Sequence, residues 1–563
     1  MTSNRVGFSP RHFSPRHGLS SRTAITIAPT RPILKADMHR QDSDAFRYFL
    51  MLTTTLCGGL IMVVEVLGAR VIGPYFGVSL YVWTALITVT LLSLSAGYAI
   101  GGILADRHPS PTWLYGLIIA AGILVLLVPT LKPWAILVSV PLGLRGGALL
   151  SATLLFVPAL LLLGCVSPFV VRIAARELAS LGRTVGVLYA LSTLGSMVGT
   201  ALAGYWIIGV VGVSRAYQIC GAMLVLLGLT YFVFFARRPG AAAGALLLAA
   251  VFLLPAGKLP SVTLPDGTRA NLIEGIDSYY GNVKVVEYVG TNYQTREMMI
   301  NGLVQGGIDQ KTGQSIYEYA YLLETLPLAI KPDARSALVV GLGAGVIAAR
   351  LQQRGIDVEA IDIDPVVVAM AEKHFSLRLK RPVVIEDARY FLTQNGRSYD
   401  IIIMDAFSGD STPSHLLTRE ALAQVKARLT PDGIMAINVI ADARAAPLLS
   451  PAIVATMQTQ FLEVAAFPLF DLASTKSKGG NLVLVASNRP VGQALVATLT
   501  DVHPMAQPFV ALGMRQGRML PRIEGGLVLT DDFNPLDILD SGLHETIRQS
   551  ILESTPREIL LHG

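Results

Sequence analysis

From Tyr48 to Gly257, Lys, Arg, Asp and Glu are scarce and gather in short loops. A bilayer span needs about 20 apolar residues, wound as a helix so that every backbone group finds a partner away from water. Segments 47–69, 80–104, 113–131, 147–171, 184–210 and 213–236 meet that length, and 240–256 is a shorter seventh candidate. The piece 133–144 is apolar but carries Pro133 and Pro141, and reads as interfacial. After Lys258 charge returns at the density of a soluble domain. The chain therefore divides into a membrane half and a soluble half. That division accounts for a mean hydropathy of +0.54 with only 15% charged residues.

The expected organisation is a disordered basic tail at 1–46 and a membrane domain of about seven helices at 47–257. A linker, a small β subdomain and a leading helix follow at 258–335, then a Rossmann-like domain at 336–500 and an extension at 501–563. Residues 1–47 hold eight Lys/Arg against three Asp, nearly the whole net charge of +6. The basic pI of about 9.1 thus belongs to the tail and does not point to nucleic acid. The tail repeats Phe8-Ser-Pro-Arg-His12 as Phe13-Ser-Pro-Arg-His17 and has no apolar stretch of its own. No cleaved signal peptide is expected, and an arginine-rich organellar presequence stays open.

Basic residues mark the cytoplasmic side of a membrane protein. The tail, Arg107, Arg172, Arg176, Arg183, Arg237 and Arg238 fall on alternate sides from Arg70, Lys132, Arg145 and Arg215. The first set is richer, so the expected location is the cell (inner) membrane, multi-pass, with a cytoplasmic amino terminus. The side of the soluble half depends on whether 240–256 or 133–144 crosses. Gly97-xxx-Gly101 and Gly195-xxx-Gly199 read as close helix contacts. Glu65 is an acid inside a span; pairing with Arg70 is set ahead of a substrate or proton role.

The soluble half carries four signatures in order: SALVVGLGAG (336–345), AIDIDP (360–365), EDARYFL (386–392) and YDIIIMDAF (399–407). Each sets a glycine or a carboxylate at or near the end of an apolar run, where an open α/β sheet gathers ligand groups. Residues 283–289 and 296–302 alternate as antiparallel strands. Helices are expected at 318–330, 343–354, 365–375 and 418–429, and buried strands at 337–341, 358–363, 401–404 and 434–439. The fold class is an α-helical multi-pass domain followed by a doubly wound, mostly parallel sheet. Gly341, Gly343 and Gly345 keep side chains away from a close backbone approach. Asp362, about 20 residues on, stands where an acid binds ribose hydroxyls. Asp387-Ala388 after the third strand suits an adenine amino group and AdoMet-type ligands, although Asp387 taken alone reads as a helix N-cap. No zinc spacing or disulfide framework is visible, and no metal is expected. Cys57, Cys165 and Cys220 all lie in apolar spans.

From about Ser278 to the end of the sheet the chain resembles the spermidine synthase (polyamine aminopropyltransferase) family, in its subgroup with a fused multi-span amino-terminal half. The resemblance rests on Ser278-Tyr-Tyr-Gly-Asn-Val283, Asn301-Gly-Leu-Val-Gln305, Tyr319 upstream of Pro327, the glycine loop, Asp362, Asp387-Ala388, Asp405, Leu529-Thr-Asp-Asp532 and Asn534-Pro535. It implies aminopropyl transfer from decarboxylated AdoMet to an amine such as putrescine, releasing methylthioadenosine. Gln305, the three loop glycines, Asp362, Asp387 and Ala388 would hold the nucleoside. Asp405 would be the base, and Tyr280, Tyr319 and Asp410 would serve the amine. Four positions depart from the family pattern: Ala344 and Ser408 stand where acids are usual, Gly281 for a Gln and Ala320 for a His.

Without an acid at 344 the site could admit AdoMet itself. Methyl or aminocarboxypropyl transfer is therefore a rival reading, and a transporter or sensor that binds nucleoside or polyamine without chemistry is a third. Gly102-Ile-Leu-Ala-Asp-Arg107, similar to a loop of major-facilitator transporters, lends the third some support. The expected partners are a polyamine or other amine and the lipid bilayer, with no nucleic acid and with a homodimer left open.

Overall fold

The computed structural model describes residues 44–77, 80–175, 181–238, 240, 243–244, 259–407, 413–441, 451–474, 479–539 and 541–561. Five helical stretches are long and apolar enough to cross a membrane: Asp44–Phe76, Tyr81–Arg107, Pro111–Ala174, Leu181–Val210 and Val213–Phe235. The third doubles back at Val140–Gly143, where Gly143 takes a φ of 72°. The amino-terminal half therefore presents helices α1 (Asp44–Phe76), α2 (Leu80–Arg107), α3 (Pro111–Ser139), α4 (Gly143–Gly164), α5 (Val166–Ala174), α6 (Leu181–Leu202) and α7 (Val213–Thr230).

Two expectations change here. Residues 133–139 are not a separate interfacial piece; they complete α3, which carries Pro129 and Pro133 inside it. Proline is tolerated in such a helix because neighbouring helices and local adjustments satisfy the freed carbonyl. Arg70 does not turn to Glu65; its guanidinium donates to the Tyr279 carbonyl in the soluble half. Five residues along a helix is a rotation of about 140°, so the two side chains leave on different faces. The candidate span 240–256 lies outside the described residues, apart from 240, 243 and 244.

Small residues bring the helices together, as the spacing predicted. A Cβ added to Gly195 would lie 2.0 Å from the Thr55 carbonyl oxygen, and one on Gly97 2.4 Å from that of Leu161. The helix directions agree on two ends. At one, the rings of Phe46, Phe49, Tyr115, Tyr231 and Phe235 pack on one another, and Arg172 pairs with Asp106 at 3.3 Å. At the other, Arg145 donates to the Tyr81 hydroxyl at 3.1 Å.

The soluble half packs on this second end. Tyr75 donates to the Leu560 carbonyl at 2.6 Å, and Arg548 donates to the carbonyls of Pro74 and Asn301 at 2.9 and 2.6 Å. The Val213 amide, at the start of α7, donates to Asp277 at 2.8 Å.

Two sheets form the soluble half. The first is antiparallel in sequence order: β1 (Ser261–Thr263), β2 (Arg269–Asp277), β3 (Asn282–Val289), β4 (Gln294–Ile300) and β5 (Leu303–Asp309). Asn301 and Gly302, at φ 50° and 82°, turn β4 into β5 in the left-handed geometry that two-residue hairpins favour. Helix α8 covers Glu318–Ile330, as read from the sequence.

The second sheet contains β6 (Ser336–Val340), β7 (Asp357–Asp362), β8 (Val384–Ile385), β9 (Tyr399–Met404), β10 (Leu429–Ala441), β11 (Glu463–Pro468), β12 (Gly480–Ser487) and β13 (Arg518–Met519). Its order is β13-β11-β12-β10-β9-β6-β7-β8. Strands β8, β7, β6, β9 and β10 run parallel, and the pairings β10–β12, β12–β11 and β11–β13 are antiparallel. Alternate residues serve opposite faces: Ala337 and Val339 join one apolar core, Leu338 and Val340 another. Order reverses between β6 and β9, so the ends of these two strands border the crevice where such sheets take ligands.

Candidate functional site

The glycine loop follows β6 at this reversal. Gly341, Gly343 and Gly345 have φ values of 86°, 50° and 76°, a region that side chains disfavour. A Cβ on Gly341 would sit 2.2 Å from the Asp405 carbonyl oxygen, and one on Gly343 2.3 Å from that of Gln305. The glycines are thus required by close approach of β9 and β5. Asp362 ends β7 and braces the loop: one carboxylate oxygen accepts from the Leu342 amide at 2.8 Å, the other from the Asp364 amide at 2.9 Å. Burial raises the Asp362 carboxyl to about 6, against the lowering effect of those amides.

Asp387 behaves as an isolated acid would at this position. It caps the helix Ala388–Gln394, accepting from the Arg389 and Tyr390 amides at 3.0 and 2.9 Å. Its other oxygen lies 3.5 Å from His415 Nε2. Ala388 opens that helix, and Arg389 pairs with Asp531 from the carboxy-terminal segment. Tyr280 is nearly half exposed. Burial raises its phenol, and then the negative charges of Asp364, Asp387 and Asp362 raise it further. Those carboxylates place a negative field around the loop, which suits a sulfonium cation.

Asp405 stands at the end of β9 beside a cavity of about 270 Å³, with Gln305, Tyr317, Tyr319 and Asn438 also on its wall. Burial lifts its carboxyl to about 6, opposed by the Asn438 amide, which donates to it at 3.0 Å. Tyr319 is buried and its hydroxyl donates to the Gln305 carbonyl at 3.4 Å. Burial, and then the Asp405 charge, hold the Tyr319 phenol well above its ordinary range.

The structure thus brings Asp405, Gln305 and Tyr319 to one cavity. The loop glycines, Asp362, Asp387 and Tyr280 belong to the adjoining face of the loop. Tyr280 is not among the residues on the cavity wall. Ser408 and Asp410 lie outside the described residues. Ala344 is buried, and a Cβ on Gly306 would stand 3.1 Å from its methyl group.

Sequence reasoning missed Asn438, although a polar residue within the apolar run 434–441 was the signal for it. It named Ser278 within the segment 278–283 but gave it no role; its hydroxyl donates to Asp364 at 2.5 Å and ties that segment to the glycine loop's neighbour. The helix Ser541–Ser554, which supplies one side of the cavity, left no readable signal.

A doubly wound sheet with a glycine loop at its reversal and acids ending the next strands defines a Rossmann-like domain with its ligand crevice at that reversal. Within it, residues 317–471 match the spermine/spermidine synthase domain. The antiparallel sheet precedes that match. The chain is 28% identical over 236 residues to the polyamine aminopropyltransferase of Vibrio vulnificus, covering 39% of this chain and 75% of that one. It is 37% identical over 134 residues to an N-terminal histidine N-methyltransferase of Emericella nidulans, covering 23% of this chain and 24% of that one. Among solved structures, a probable spermidine synthase from Corynebacterium glutamicum is 18% identical with a TM-score of 0.38, over 47% of this chain and 97% of that one.

Proposed function

We propose that the protein is a membrane-tethered aminopropyltransferase-like enzyme, moving an aminopropyl group from decarboxylated AdoMet to an amine and releasing methylthioadenosine. The observation that carries this reading is Asp405: a carboxyl raised to about 6, at the strand end beside the glycine loop, on the wall of a cavity. The donor would supply a carbon activated by the adjoining sulfonium. The loop glycines, Gln305, Asp362, Asp387 and Ala388 would hold and orient the nucleoside. An acceptor amine is protonated near neutral pH, and Asp405 would take its proton as it attacks. Tyr319 would place the amine, and holding both reactants in line would supply much of the rate. Purified protein given putrescine and each donor in turn tests the reading. Methylthioadenosine from decarboxylated AdoMet is expected; S-adenosylhomocysteine from AdoMet would replace this reading with methyl transfer.

Methyl or aminocarboxypropyl transfer from AdoMet stands second. Ala344 favours it, because no carboxylate at that position meets the donor's free amino group.

The site is also inferred to lie across the bilayer from the amino terminus. The support is directional: Asp44 begins α1 at the end of the bundle away from the Tyr75–Leu560 and Asp277–Val213 contacts. Arg47, Arg107, Arg172, Arg183 and Arg237 sit at the Asp44 end, so the basic-residue rule puts that end in the cytoplasm. A single cysteine at exposed Lys311, in a variant lacking the three buried cysteines, should react with an impermeant maleimide added to right-side-out vesicles. Reaction only after lysis would place the site in the cytoplasm instead.

A further inference from the structure

One face of the second sheet ends in a row of polar side chains. Ile403 of β9, Ala436 of β10 and Val483 of β12 share one apolar core. Side chains alternate along a strand, so Asp405, Asn438, Ile440 and Asn481 carry that same face to the ligand edge. Met404 pairs with Ile437, which sets Asp405 beside Asn438, and Ile440 pairs with Asn481. Asp405, Asn438, Ile440 and Asn481 all stand on the wall of the Asp405 cavity. Asn438 gives its amide to Asp405. Asn481 gives its amide to a different carboxylate, that of Glu318, at 3.2 Å. Glu318 opens α8, which packs over β10 and β12.

The Glu318 contact decides how Asn481 is turned. An ionised carboxylate only accepts hydrogen bonds, so the Asn481 amide nitrogen faces Glu318 and its Oδ1 points away. That oxygen accepts from no other described residue, and Asn481 is partly accessible on the cavity wall. Burial raises the Glu318 carboxyl, against its own backbone amide and the Asn481 amide. A buried anion held only by amides gains from a nearby cation, and the polarised Asn481 oxygen carries that attraction to the wall. Two strand spacings and two residues of rise put Asp405 and Asn481 about 12 Å apart at Cα. A hydrogen bond of about 3 Å at each end leaves about 6 Å between two ammonium groups, roughly the reach of four methylenes.

We propose that Asn481 Oδ1, oriented by Glu318, receives the distal ammonium of a diamine acceptor whose reacting amine meets Asp405. This rests on the aminopropyl-transfer reading above. Asn481 touches the substrate, and Glu318 is a positioning residue that acts through it. The methylenes between the two amines lie along Ile440.

The test uses the full chain in detergent with decarboxylated AdoMet and either putrescine or 1-aminobutane, reading methylthioadenosine release. The two amines differ only in the distal ammonium. The unaltered protein should favour putrescine at least about tenfold in kcat/KM, and equal or reversed preference overturns the inference. Asn481→Val should reduce that preference about tenfold, through KM for putrescine rather than kcat. Glu318→Leu should act alike, and Glu318→Gln, which can still accept from Asn481, should fall between it and the unaltered protein. A merely structural role would lower both amines together and leave their ratio alone. An unchanged ratio in folded variants overturns the inference and leaves aminopropyl transfer standing. Glu318→Gln, the mildest change, decides where the others fail to fold. If no amine is turned over, the aminopropyl reading fails separately, and calorimetric binding of both amines with methylthioadenosine present decides the inference. Tighter putrescine binding that Asn481→Val weakens supports it; equal binding of the two amines, or none, overturns it.

Discussion

Burial lifts the Asp405 carboxyl to about 6, while the Asn438 amide pulls it down. If Asp405 is the base, kcat/KM rises with pH through about 6. Asn438→Ala removes the lowering hydrogen bond, so the limb should move to higher pH. Asp405→Asn should lower kcat by about 10²–10⁴ and erase the limb. The same carboxyl predicts a stability effect of opposite sense. Its folded value lies above the unfolded one, so the folded protein holds its proton more tightly between about pH 4 and pH 6. Stability is then lost as pH rises across that window. Melting curves in detergent should show Asp405→Asn stabilised above pH 6, by up to about 3 kcal/mol, and unchanged near pH 4. An enzyme whose asparagine variant is both slower and more stable has spent stability on its base. Asp405 was legible from sequence because an acid ended an apolar strand. Asn438 set its strength unseen, because only folding brings β10 beside β9.

Among the elements, the glycine loop and α8 were the most readable. Their signals are local: a strand, glycines that turn, and a helix ended by Lys331-Pro332. The tertiary fold supplies the reason for each glycine, namely carbonyls of Asp405 and Gln305 pressed against the loop. Gly341→Ala combines positive φ with a 2.2 Å approach, and Gly343→Ala a similar pair. Each should cost about 1–2 kcal/mol in backbone conformation alone, with the clash in addition. Isothermal titration with methylthioadenosine should show at least about tenfold weaker binding; unchanged affinity would mean the loop does not meet the nucleoside. The antiparallel edge β12-β11-β13 was not read, since apolar strands carry no mark of direction. Asp387 shows a further limit, as its N-cap geometry is what any acid at that place would adopt.

Across the whole molecule, three parts meet at Leu560. Its carbonyl accepts from Tyr75 of α1 and, with that of Ile559, from Lys284 of β3 at 2.8 and 2.9 Å. Burial lowers the Lys284 ammonium to about 7. The unfolded chain therefore binds more protons above that value, and this group's contribution to stability improves as pH rises from about 7 towards 10. Lys284→Met removes the side-chain donor to the Ile559 carbonyl and one of two donors to that of Leu560, at a cost of about 1–3 kcal/mol. Limited proteolysis should then cut near Thr555 on the order of tenfold faster. Intact resistance would show that the carboxy-terminal helices are held without this clasp.

Sequence by itself determined the two-part character, the strand–glycine–helix order and the acids that end the strands. These follow from apolar run length, periodicity and local turn chemistry, which act over a few residues. Tertiary structure alone decided which end of the bundle carries the soluble half, since that depends on contacts such as Asp277–Val213 between residues 64 apart. It also decided that a carboxy-terminal helix, Ser541–Ser554, shares the wall of the cavity with Asp405. Loop closure over such separations leaves no periodic trace in the chain, because any spacing that closes the contact would serve.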